Sequence, residues 1–499
     1  MDILKPDFNL FKKKYKSGKR QILYTSFTAD VHTPVSSLIK LEKESYTFLF
    51  ESVEKGSQKG RYSVIGLKPD LIWECKDNNC KIIDKNLKKK YYEKNITPLN
   101  SLRSLIKKNK LMIPNQIPSI SSGLFGYMGY EMIQYFENVV LSKKDNLKLP
   151  DSIFIRPSMT LVFDNVNDKL FITRTVSPNE KSPIESFNTA KKDIINLTKK
   201  INQPLNKSSL ELQSFKNNID VFKNVKSNTN YKDFKKMVEK AKKLIFEGEI
   251  FQVVLSRIFK KKITNRPLSI YRALRHLNPS PYLFYMSFKE FTIVGSSPEI
   301  LIKLDNKKVT IRPIAGTRKR GVNSKEDDKL KNDLLSDSKE ISEHLMLLDL
   351  GRNDISRVSK PGTVKVTDKM YIEYFSHVMH IVSNIEAELK DKKDSTDVLF
   401  SGFPAGTVTG APKIRAIEII EKLEKSRRNV YAGSVGYISN NGDVNTCIAL
   451  RTALIKNNYI YVQAGAGIVA DSKPKNEFKE TENKALAILT ACAYANNFK

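Results

Sequence analysis

AGSVGYISNNGDVNTCIALRTALIKNNYIYVQAGAGIV, from Ala432 to Val469, is the stretch whose reading decides the fold. Its apolar and β-branched residues fall into short runs parted by NNGD at 440–443 and KNN at 456–458. Turns of that length and composition join strands that must run antiparallel. The same grammar recurs upstream in FTIVGSSPEILIKLDNKKVTIRPIAGT (291–317), in DLIWECKDNNCKIID (70–84) and in RPSMTLVFDNVNDKLFITRTV (156–176). Helices expected over 325–350, 411–425 and 477–495 would cover the resulting large sheet, which makes the chain α/β of the α+β type. Another amphipathic helix, YKDFKKMVEKAKKLIF, sets Phe234, Val238 and Ala241 on its inner face, stops at Gly248 and feeds a strand at 250–258. No internal repeat is visible.

Residues 178–227 are rich in Ser, Asn and Lys and read as a surface helix plus a polar connection. They close an N-terminal region, 1–227, and a second region runs over 228–499. With 499 residues the chain can bury a large core. No apolar run is long enough to span a membrane and MDILKPDFNLFKKKYK lacks the apolar heart of a signal peptide, so a soluble, cytoplasmic protein is expected. Cys75, Cys80, Cys447 and Cys492 match neither a zinc-site spacing nor a disulfide framework. The net charge of +31, from 85 Lys+Arg against 54 Asp+Glu, admits a nucleic-acid partner as an alternative of another class. The excess is lysine scattered through segments such as KNLKKKYYEK, without the basic stripe interleaved with aromatics that nucleic acid requires. Neither nucleic acid nor membrane is expected as a partner.

Chemistry concentrates in two helices. In PKNEFKETENKALAIL, Glu477, Glu480 and Lys484 share one face, and in SDSKEISEHLMLLDLGRND, Glu340 and Glu343 do the same, with Leu347 continuing the stripe. Four carboxylates in one cavity would need a divalent cation, and an oxygen-only set suits Mg2+. The spacing equally allows two solvent faces whose acids pair with lysines. FSGFPAGTVTGAPK (400–413) offers Gly402, Gly406, Gly410, Thr407 and Thr409 ahead of a helix, an arrangement suited to an anion. It is not a Walker loop, and no dinucleotide fingerprint exists elsewhere. Arg451, read on the strand CIALRTALI, and Lys484 supply cations for a carboxylate.

The ordered string GEIFQVVLSR, SSPEIL, IRPIAGTRKRG, EHLMLLDLGRND, HVMHIVS, GFPAGTVTGAPK, GSVGY and QAGAGIVADSKPKNEFKETENKA resembles the chorismate-utilising enzymes, and among them the anthranilate synthase component I family. FLFES, GRYS and GLFGYMGYE extend the likeness into the first half. The resemblance implies two large antiparallel sheets packed in a sandwich flanked by helices. It implies Glu343 and Glu480 as ligands of Mg2+, with Glu340 and Glu477 beside them holding bound water. Lys484, Gly465 and Gly467 would receive the dianionic chorismate, Tyr431 and Arg451 its enolpyruvyl carboxylate, and Gly316 and Thr317 would line the site with Thr407. Glu299 matches the general acid for the departing C4 hydroxyl, and His380 would assist loss of pyruvate.

Two positions choose among family members. Relatives that add water at C2 have a lysine where Gln252 stands; a glutamine cannot deprotonate water but can orient ammonia. Relatives that make 4-amino-4-deoxychorismate have PIKGT, whose lysine is the nucleophile, where this chain has Ala315 in PIAGT. Together they favour anthranilate, first in the route to tryptophan, over the alternative, aminodeoxychorismate synthase component I. No cysteine sits in a nucleophile turn, so the resemblance implies a separate glutamine amidotransferase subunit, component II, as the source of ammonia. It also implies a tryptophan feedback site at Glu51, Ser52, Pro281, Tyr282 and Leu283, with the N-terminal region carrying part of that site and contacts to the partner subunit.

Overall fold

The computed structural model describes residues 4–54, 58–205, 220–375 and 378–498; part of the polar connection, 206–219, lies outside them. Among the described residues, hydrogen-bonded pairing links 22 strands into one continuous network, and every pairing in it is antiparallel. Helices flank it, as the turn chemistry requires. The hairpins read from DNN and from NVND close at the expected places, with Cys75 opposite Cys80 and Asp164 opposite Lys169. All four cysteines are free and buried.

The quoted stretch forms strands Ser434–Ser439, Val444–Ile448, Thr452–Lys456 and Tyr459–Ile468. The last of them pairs along its whole length with Gln252–Lys262, Val253 standing opposite Ile468 and Lys262 opposite Tyr459. That pairing places the Gly465–Gly467 backbone beside Gln252, which sits at the start of its strand. Besides the short pairing of Lys226–Ser227 with Phe259–Lys260, the N-terminal half joins the same network at two seams. Phe48–Glu51 pairs with Tyr282–Ser287, and Gly123–Met128 with Ser434–Ser439.

The helix expected over 325–350 is two helices, Ser324–Ser336 and Ser338–Ser356. Asp337 makes the break: in extended conformation it caps the second helix, its carboxylate accepting from the Lys339 and Glu340 N–H groups. The C-terminal helix, Pro474–Tyr494, buries Ala485, Ile488, Leu489, Ala491 and Cys492, while its first turns keep the acids for the sheet side. Arg257 ties those turns down. Its guanidinium lies 3.5 Å from the centroid of the Phe478 ring, donates from Nε to Thr481 Oγ1 at 2.6 Å and pairs with Glu482 at 3.2 Å.

Candidate active site

The two acidic helices converge. The Glu343 carboxylate is raised above its ordinary range by burial first, then by the neighbouring Glu340 and Glu480, with Lys484 opposing. Lys484 Nζ lies 2.5 Å from Glu480 Oε1 and donates to the Gly465 carbonyl at 3.0 Å. Burial works against ionisation of Glu480, but Lys484 outweighs it and keeps this carboxylate below its usual range. Its hydrogen-bonded neighbour Glu477 is pushed up to about 7, by burial and by the charge of Glu480. Glu340 approaches Gly316, where an added Cβ would stand 3.2 Å from its Oε2, and it is shared with Arg318 at 3.5 Å. So the acids of the two helices lie within reach of one another in a half-exposed cleft, the Lys484 and Glu480 side chains being 36% and 42% exposed.

Around this acidic side the remaining groups assemble. Gln252 Nε2 reaches Glu343 Oε1 at 3.5 Å, and its buried Oε1 has no hydrogen-bond partner among the described residues. A Cβ on Gly467 would come within 2.6 Å of that Nε2 and would displace the amide, while one on Gly465 would stand 2.7 Å from the Tyr431 hydroxyl and 3.0 Å from the Leu255 carbonyl, a close approach that favours glycine. Glu299 is 6% exposed and burial pushes its carboxyl up to about 8, although Thr407, Lys484 and the Ile314 N–H favour the charged form. The Thr407 hydroxyl is itself buried and makes no hydrogen bond of normal geometry. His380 Nδ1 lies 2.9 Å from the Gly316 carbonyl and 3.0 Å from Thr317 Oγ1. Burial, with Arg451 and Lys484 nearby, holds the imidazole below its usual pKa and therefore neutral.

Arg451 differs from its sequence reading. It does not lie within a strand: it occupies the break between Val444–Ile448 and Thr452–Lys456, with φ at +47°. That left-handed kink turns the side chain inward, where it donates to the Lys484 carbonyl at 3.0 Å and faces Tyr431 and Glu480.

Sequence reasoning missed the pair beneath this wall. Arg428 and Glu424 are 3% and 5% exposed and meet at 2.6 Å. Arg428 also donates to the carbonyls of Val408 and Val254, each at 2.7 Å, and lies over the rings of Tyr130 and Tyr431. Glu424 accepts from Ser256 through both its N–H and its hydroxyl. One buried ion pair thus locks the Thr407 turn, the Gln252 strand and Tyr431 together. The only sequence signal was the unremarkable EKSRR.

The Mg2+ expectation meets a donor set made of oxygen alone. Among the described residues no three carboxylate, thiolate or imidazole groups already cluster at metal-holding geometry. Glu343, raised by burial and then by Glu340 and Glu480, and Glu480, near both Lys484 and Arg451, nonetheless bring together carboxylate oxygens of the kind a hard dication takes.

At the seam of the two halves, Glu51, Ser52, Pro281, Tyr282 and Leu283 line one cavity of about 1020 Å³. Leu283 stands opposite Glu51 in the strand pairing, and the Glu51 carboxylate accepts from the Tyr271 hydroxyl at 2.6 Å and from Arg275 Nε at 2.9 Å. Pro298 and Ile300, on either side of Glu299, line the same cavity.

An antiparallel body with helices outside and a half-exposed cleft of carboxylates facing fixed cations defines a class, and residues 47–490 match the chorismate binding enzyme family, to which the chain belongs. Within that family it is 44% identical to anthranilate synthase component 1 of Cereibacter sphaeroides across 98% of either chain. It is 42% identical to the component 1 of Acetivibrio thermocellus, over 94% of this chain and 95% of that one. Among solved structures, anthranilate synthase component I from Streptococcus pneumoniae superposes with a TM-score of 0.74 at 33% identity, covering 93% of this chain and 99% of its own. The menaquinone-specific isochorismate synthase of Escherichia coli, at 22% identity, a TM-score of 0.72 and 95% coverage of both chains, shares the fold. Among the described residues no helix is long and apolar enough to cross a membrane.

Proposed function

We propose that this chain is the large subunit of an anthranilate synthase, which turns chorismate and ammonia into anthranilate, pyruvate and water. The observation that carries the reading is Gln252, a side chain that cannot act as a base, set 3.5 Å from the Glu343 carboxylate where the nucleophile must enter. Ammonia, oriented by the free Oε1 of Gln252, forms the bond to C2 of the ring as the C4–O bond breaks. Glu299, neutral because it is buried, gives its proton to that leaving oxygen, which departs as water. Loss of the C2 proton and cleavage of the C3–O bond then release pyruvate and leave the aromatic amine, with neutral His380 placed to take part in proton movement. Arg451 and Tyr431 hold the enolpyruvyl carboxylate. Glu343 and Glu480 would hold Mg2+, with Glu340 and Glu477 behind them; bound there, the ion would neutralise the acids and anchor the ring carboxylate. Lys484, fixed to Glu480 and Gly465, orients the same dianion.

Ammonia comes from glutamine through a component II subunit, and the chain works in the cytoplasm. Tryptophan closes the feedback loop in the cavity at Glu51, Ser52 and Tyr282–Leu283, and Pro298-Glu299-Ile300, which borders that cavity and carries the acid, transmits its effect. The test is the purified chain with chorismate, Mg2+ and ammonium. Anthranilate fluorescence is expected, with glutamine inert until component II is added; a non-aromatic amino-chorismate in its place would sink the reading in favour of aminodeoxychorismate synthesis. Glu343→Gln and Glu480→Gln should each abolish turnover.

A further inference from the structure

Away from the acids, a cavity of about 250 Å³ opens at the outer end of the Gln252–Lys262 strand, where Ile258 and Lys260 meet Tyr461, Lys226–Asn228, Lys144–Leu147 and the loop Ser426–Asn429. Four cations border it, Lys144, Lys226, Lys260 and Arg427, and no carboxylate does. Arg427 is partly satisfied, by Asp77 at 3.6 Å, Asp151 at 3.7 Å and the Lys143 carbonyl at 2.7 Å. The three lysines have no ion pair among the described residues, whereas their sequence and loop neighbours Lys143 and Lys425 are paired, with Glu421 and Asp233. The Lys260 ammonium is instead parked on aromatic faces, 4.2 Å from the Tyr459 ring centroid and 5.3 Å from that of Tyr461. Three unpaired lysines gathered round a concave surface that no carboxylate lines raise the local potential, and an anion entering it relieves their repulsion.

The rest of the lining says what kind of anion. Leu147, Ile258 and Tyr461 form an apolar floor, and Asn228, Asn429, Ser227 and Ser426 offer neutral hydrogen-bonding groups at the edge. A cavity of roughly 150 Å³ takes a benzene ring; the space here admits one ring and an acid group. We propose that this cavity binds a small aromatic acid, its carboxylate or phosphate held by Lys144, Lys226 and Lys260 and its ring laid on Leu147, Ile258 and Tyr461. The site is independent of the chemistry proposed for the acidic cleft. Arg427 and Asn429, which border it, flank Arg428, whose guanidinium lies over the Tyr431 ring.

Titration calorimetry of the full chain with phenyl phosphate, benzoate and inorganic phosphate tests the assignment. At low salt the better of the two aromatic acids should bind at one site, with affinity falling as sodium chloride rises. Lys226→Ala/Lys260→Ala should weaken that binding at least ten-fold, while Lys192→Ala/Lys199→Ala, on an exposed helix face, leaves it unchanged. Arg451→Ala separates this cavity from the acidic cleft: unchanged heat supports the proposal, and loss of the heat overturns it. No heat with either aromatic acid, or equal heat in the Lys226/Lys260 variant, overturns it too, and inorganic phosphate binding as tightly as phenyl phosphate removes the role of the ring floor. Thermal melting checks that each variant is folded, and Lys144→Ala, on an exposed side chain, replaces the double variant if that one is not.

Discussion

Glu299 shows how one environment sets a role. Buried and neutral up to about pH 8, it can donate a proton at physiological pH, which an ordinary carboxylate cannot. Raising the pH through that value ionises it, so kcat with saturating ammonia should fall on the alkaline side with a midpoint near 8, and Glu299→Gln should cut turnover by roughly 10²- to 10⁴-fold while chorismate still binds. A pH–rate profile of both proteins checks this; a wild-type profile flat to pH 9.5 would remove Glu299 as the acid. Gln252→Lys makes the complementary test, because an ammonium beside Glu343 occupies the place of ammonia. Anthranilate formation should drop by at least ten-fold, read by chromatography of the products. Glu299 and Gln252 were both legible in the sequence through the motifs SSPEIL and IFQVVLSR. The raised pKa of Glu299 and the unpaired Oε1 of Gln252 were not, since these depend on burial, which arises from partners far away in the chain.

Elements rather than residues decide where the acids point. The Pro474–Tyr494 helix presents Glu477, Glu480 and Lys484 because its opposite face is packed and because Arg257 holds its first turns to the sheet. The facing strand must then be nearly bare, which is the reason for Gly465 and Gly467. Gly467→Ala would push Gln252 aside from 2.6 Å, and its effect should appear as a several-fold rise in the KM for ammonia with little change in the KM for chorismate. The Arg428–Glu424 pair acts at the same scale, joining a turn, a strand and Tyr431. Arg428→Met strands a buried carboxylate and should cost about 3–5 kcal/mol of stability, seen as a lower denaturation midpoint in urea. The companion change Glu424→Gln/Arg428→Met should recover part of that loss, because it removes the unpaired charge. Helix spacing alone revealed which residues share a face, but not that Asp337 divides the 325–350 segment, because a capping residue and a helical one look alike inside a polar run.

Across the whole molecule, strands from the first half are stitched into the network of the second at Phe48–Glu51 and at Gly123–Met128. The cavity of about 1020 Å³ lies along the first seam, and its wall includes the residues on either side of Glu299. Tryptophan should therefore raise the melting temperature and inhibit, and Ser52→Arg, which fills one end of the cavity, should abolish both effects with basal turnover kept; inhibition intact in that variant would place the inhibitor elsewhere. The sequence by itself determined the antiparallel α+β body, through turns such as NNGD and KNN, and it named the acids and the glycines, because side-chain chemistry and local spacing are properties of the chain; Gln252 stood out only through the family resemblance of its motif. Only the tertiary structure decided that Glu343 and Glu480 come within reach of each other's charge and of Lys484, that Arg451 turns inward from a left-handed kink, and that Arg428 and Glu424 lock the wall behind Tyr431. Each of these depends on dielectric and contact between segments separated by tens to hundreds of residues, and periodicity along the chain carries no information about such distances.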